Sequence, residues 1–166
     1  MAKHISWSKV CLLCHPLLLV VSLSGQSAQE DRVTAAAVSK LNSTLMALKD
    51  AAASRASRSQ ELVDEMMSLA KRDGPPRLVI TRFADKLTNA LTGRKLNEAQ
   101  MTTVQQSIVD VLRGSGTSNL SLADRLQETL IVVGISSSET RLIIRDFIAV
   151  GEAVRGPDDT PLIRPD

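Results

Sequence analysis

Residues 96 to 113 read Leu96-Asn97-Glu98-Ala99-Gln100-Met101-Thr102-Thr103-Val104-Gln105-Gln106-Ser107-Ile108-Val109-Asp110-Val111-Leu112-Arg113, and this stretch decides the fold. Met101, Val104, Ile108, Val111 and Leu112 recur at intervals of three and four, the period of a helix with one buried face. Asn97 is placed as N-cap: its short side chain can accept a bond from the first turn, and Gln100, three residues on, can bond back to it. Leu96 before the cap and Met101 after it are spaced as a hydrophobic staple.

Working outward, the same period holds between punctuation marks at Asp73-Gly74-Pro75-Pro76, Gly93, Gly114-Ser115-Gly116, Gly134 and Gly156-Pro157. The expected fold is all-α, a compact bundle of about five to six amphipathic helices. A first helix is expected from about Gln29 to Ala53, burying Val33, Ala37, Leu41, Leu45 and Leu48, with a break over Ser54 to Ser59. A second carries Leu62, Val63, Met66 and Leu69 and stops before Gly74. A third follows Pro76 with Val79, Phe83, Leu87 and Leu91 on one face. Past the fourth, already quoted, a fifth runs from about Ser121 to Val133 on Leu122, Leu126 and Leu130. The sixth has Ser136 as cap, Glu139 as its box partner, and Ile143, Phe147, Val150 and Val154 along its face. Residues 29–154 form a single helical domain, and the prolines and aspartates of 155–166 read as a polar tail.

The segments 83–112 and 122–151 repeat one another's spacing. With Phe83-Ala84-Asp85-Lys86-Leu87 laid on Leu122-Ala123-Asp124-Arg125-Leu126, Leu91 falls on Leu130 and Leu96, Asn97 and Gln100 fall on Ile135, Ser136 and Glu139. Val104, Ile108 and Val111 then meet Ile143, Phe147 and Val150. Two related helical hairpins would give this match, and so would two unrelated amphipathic pairs of similar length. Two copies are fewer than a free-standing solenoid needs, which favours a compact bundle.

The N-terminus has the order of a secretory signal, residues 1–28. Lys3, His4 and Lys9 precede an apolar run from Val10 to Leu23, and small polar residues follow from Ser24 to Ala28. The run is shorter than the ~20 residues that span a bilayer and is interrupted by His15 and Pro16, so no permanent membrane anchor is expected. Small residues at the last and third-last positions of the signal are supplied by Ser22 with Ser24 or by Gly25 with Ser27, which places the cut between residues 24 and 28. Cys14 lies inside the apolar run behind Cys11-Leu12-Leu13, not behind a lipobox. The expected location is therefore the periplasm or the outside of the cell.

Cutting there removes His4, His15, Cys11, Cys14 and Trp7, the only histidines, cysteines and tryptophan of the chain. It also removes Lys3 and Lys9 and leaves Lys and Arg equal in number to the 18 acidic residues. A neutral mature chain, aromatic only at Phe83 and Phe147, lacks the basic footprint of nucleic-acid binding. Without histidine or cysteine it can form neither a nitrogen- or sulfur-ligated zinc site nor a Ser-His-Asp or Cys-His arrangement. Ser68-Leu69-Ala70-Lys71 has Ser-x-x-Lys spacing but no Ser-Asp-Asn or Lys-Thr-Gly companion. Glu61, Asp64 and Glu65 sit at helical spacing without a loop of alternating oxygen ligands, and read as a solvated face, as do Asp158 and Asp159 in the tail. No catalytic residue, cofactor or metal ligand is therefore assigned, and the protein is not expected to be an enzyme.

Leu96-Asn97-Glu98-Ala99-Gln100 resembles the Leu-Thr-x-x-Gln motif of the periplasmic Spy and CpxP-type stress chaperones, small exported helical proteins. It covers five residues, has asparagine in place of threonine, and is repeated only loosely as Ile135-Ser136-Ser137-Ser138-Glu139. The resemblance implies a concave surface that holds unfolded clients. The residues themselves point to a non-catalytic protein of the cell envelope or extracellular space, acting on a protein partner or on a copy of itself. Met46, Met66 and Met67 are its expected contact surface, because thioether side chains adapt to varied partners. A bundle enclosing an apolar ligand is the alternative, with small-residue turns such as Ala51 to Ala53 leaving the space.

Overall fold

The computed structural model describes residues 15–48, 55–70 and 74–155. Among them are six helices and no strand: α1 (His15–Ala47), α2 (Arg55–Leu69), α3 (Arg77–Leu91), α4 (Glu98–Arg113), α5 (Asn119–Val132) and α6 (Ser137–Arg155). The chain divides into two units, Met1–Ala36 and Ala37–Asp166, and α1 runs through both. In the first unit Val33, expected on the buried stripe, is exposed, as are Asp31, Arg32, Ala35 and Ala36. The helical period continues there, but a period does not by itself supply a surface to bury against.

The second unit holds the described core, from Ala37, Leu41, Leu45 and Leu48 of the α1 end to Val150 of α6. Each fully buried Leu, Ile or Phe contributes about 1.5–3 kcal/mol relative to exposure. α1 is already helical at His15, the first described residue, well before Gln29, and it ends at Ala47, not Ala53. The expected break over Ser54 to Ser59 is also misplaced, since Arg55 to Ser59 are the first turns of α2. Ser59 is buried there and donates its hydroxyl to Asp85 of α3, a tertiary partner that offsets the weak helix preference of serine. Ala51 to Ala53 and the 156–166 tail lie outside the described residues.

The helix starts follow the sequence closely. Asn97 Oδ1 accepts from the Gln100 N–H at 2.8 Å, and Gln100 Oε1 accepts from the Asn97 N–H at 2.9 Å, a complete capping box on α4. The Glu139 N–H donates to Ser136 Oγ at 3.3 Å at the start of α6. α5 begins two residues earlier than expected because Ser118 is its cap, accepting from the Ser121 N–H at 3.1 Å. α4 stops where Gly114 turns left-handed at φ 61°, and Gly134 does the same after α5 at φ 87°. Both angles suit glycine, which has no Cβ to clash.

α3 packs against α2 and α6, while α4 packs against α5, α6 and α2, and α5 against α6. α3 and α4 adjoin in sequence but are not packing neighbours, so 83–112 is not a closed hairpin, whereas 122–151 is. Phe83 and Phe147 meet between α3 and α6 with ring centroids 5.5 Å apart and planes at 55°. The ammonium of Lys86 pairs with the nearly buried carboxylate of Asp146 on α6, which also accepts from the Arg145 guanidinium at 3.2 Å. Between α2 and α3, the Arg77 guanidinium donates to Asp64 at 2.6 Å; this bond first, and one from Gln60 second, hold the Asp64 carboxyl below the usual range.

Candidate contact surface

On α1, Leu41 and Leu45 are buried in the core, as is Leu48 just past its end, and the residues one position after the first two, Asn42 and Met46, flank that stripe. On α4, Glu98 and Thr102 form one four-residue step, and Met101 and Gln105 form the next. These two flanks face each other across an open groove of about 340 Å³, lined by Asn42, Met46, Leu96, Asn97, Glu98, Met101, Thr102 and Gln105. Its apolar part is Met46, 42% exposed, with Leu96 and Met101, both buried.

Two hydrogen bonds tie the end of α1 to the residues around α4. Gln105 Nε2 donates to the Val38 carbonyl at 3.4 Å, and the Gly93 N–H, in the turn after α3, donates to the Leu48 carbonyl at 3.0 Å. Glu98 is the sole charged residue in the lining, at the first turn of α4 where the helix dipole favours a carboxylate. An apolar strip rimmed by the side-chain amides of Asn42, Asn97 and Gln105 suits an apolar side chain whose neighbouring peptide groups need hydrogen-bond partners. A second, smaller groove of about 220 Å³ lies between α4 and α5, lined by Thr102, Thr103, Gln106, Ser107, Asp110, Leu122 and Arg125.

Of the three expected contact residues, only Met46 is well exposed. Met66 is fully buried, in phase with Leu62 and Leu69, and Met67 is half-buried against the core. Met66 is thus core filling and offers no contact surface. Asn42 and Gln105 were not singled out by the sequence, although each sits beside a buried stripe, the position that lines a groove between two packed helices.

Ser68, Glu61 and Asp64, which the sequence singled out, are engaged locally. Ser68 Oγ donates to the Glu65 carbonyl at 2.7 Å, and its expected companion Lys71 lies outside the described residues. Glu61 accepts from Ser57 Oγ at 3.3 Å, and Asp64 faces Arg77. Among the described residues no three acidic, histidine or cysteine side chains gather as a metal site, and no helix is long and apolar enough to cross a membrane. No model of a known protein family matches the chain, nor does any curated protein or solved structure.

Proposed function

We propose that the protein is exported, loses its first residues as a signal, and acts without catalysis by binding another polypeptide in the groove between α1 and α4. The observation that carries this reading is the exposed Met46 thioether beside buried Leu96 and Met101, with amides on the rim. Export rests on the charged, apolar and small-residue order of residues 1–28.

Leu96, Asn97 and Glu98, three of the five residues that resemble the stress-chaperone motif, line this groove. That placement favours an unfolded segment over a folded partner. The test is suppression of aggregation of a chemically unfolded model protein by the purified exported chain. Wild type is expected to slow aggregation and Met46→Glu to lose most of that effect at an unchanged melting temperature. If wild type leaves aggregation unaffected, client binding is refuted; if light scattering at increasing concentration also gives only monomer, self-association falls with it.

A further inference from the structure

Resting on the export reading above, we propose that signal cleavage occurs after Ser24, making Gly25 the mature N-terminus and Ser27 the N-cap of the exported α1. α1 is unbroken from His15 to Ala47 and so runs straight through the 24–28 region. Yet Ser27-Ala28-Gln29-Glu30 has the Ser-x-x-Glu order with which helices begin, and Asp31 follows it. A start signal in the middle of a helix is a conflict between local and global preference. The conflict disappears if the working helix starts there.

The uncut helix has no acidic residue in its first turn, and Glu30 and Asp31 lie four turns further on. In the processed chain they fall in the first turn, where the helix dipole favours them. Residues 31–33, 35 and 36 are exposed, so this part of α1 draws little from packing and depends on local terms such as its cap.

Three cuts satisfy or nearly satisfy the small-residue rule, and the helix start separates them. Cleavage after Ser27 or Ala28 discards the Ser27 cap and sets the new ammonium on the positive end of the helix. Cleavage after Ser24 keeps the cap and spaces the ammonium from it by Gly25 and Gln26, with Ser22 and Ser24 as the two small residues. The step is hydrolysis of the Ser24–Gly25 peptide bond by the signal peptidase of the host: water gives its hydroxyl to the Ser24 carboxyl, and the Gly25 nitrogen leaves as an amine.

The test is the intact mass of the full chain exported by a bacterial host. A product starting at Gly25 is expected. One starting at Ala28 or Gln29 overturns this inference and leaves export standing, while an uncut product overturns the export reading itself. In the exported protein, Ser27→Ala is expected to speed hydrogen exchange of the amides of residues 29–36 about fivefold. Unchanged exchange there refutes the cap.

Discussion

The segments 83–112 and 122–151 carry the same pattern and pack differently. Leu87, Leu91, Val104, Ile108 and Val111 of the first are buried, and so are Leu126, Leu130, Ile143, Phe147 and Val150 at the matching places of the second. Yet α5 lies on α6, while α3 and α4 are apart and each reaches across to the other segment, α3 to α6 and α4 to α5. Spacing fixes which face of a helix is apolar; it leaves open which neighbour covers that face. The two segments therefore interlock, with α6 touching α3, α4 and α5.

The largest effect should come from breaking the interlock at Phe83 and Phe147, one ring from each segment. Each Phe→Ala change is expected to cost about 3–5 kcal/mol in chemical denaturation. The double variant should cost less than the two together by roughly 0.5–1.5 kcal/mol, the coupling of a ring pair. Strict additivity would mean that the rings do not stabilise each other.

A smaller effect tests the place where the second segment closes and the first does not. Gly151 occupies the position matching Leu112, and a Cβ there would lie 2.5 Å from the Asn119 side chain at the start of α5. Gly151→Leu, which copies the first segment, is expected to destabilise by about 1–3 kcal/mol through overpacking. Asn119→Ala in the same chain should recover part of the loss, as read by melting temperature. No loss with the single change would show that α5 and α6 are not held as closely as described.

The smallest difference lies in the caps. Asn97→Ala is expected to cost about 1 kcal/mol and Ser136→Ala less, because Asn97 sits in a two-way box and the one cap bond seen at Ser136 is long, at 3.3 Å. Equal losses in urea unfolding would count against reading cap strength from these bonds.

Much of the fold was legible in the sequence because it rests on local terms. The Asn97 and Ser136 caps, the glycines at 93, 114 and 134, and the stripes of α4, α5 and α6 all act within one or two turns. What was misread depends on distant residues. Ser59 stays helical because Asp85 is beside it, and Val33 is exposed although its period matches that of Leu41. In the contact surface, Met46 could have been distinguished from Met66 by phase alone. Met66 keeps step with Leu62 and Leu69, whereas Met46 falls one residue past Leu45. Asn42 and Gln105 required knowing that α1 and α4 lie side by side.

The position of α6 at the end of the chain has a consequence for the order of events in folding. Lys86 meets Asp146 across 60 residues of sequence, and Phe83 has no ring to meet until Phe147 has been made. Synthesis delivers α3, α4 and α5 first, so the part of each that α6 covers stays open until the last helix arrives. Contacts of such long range set the pace of folding through the closure of long loops. A nascent chain therefore cannot complete its core until α6, the last of these helices to be made, is available.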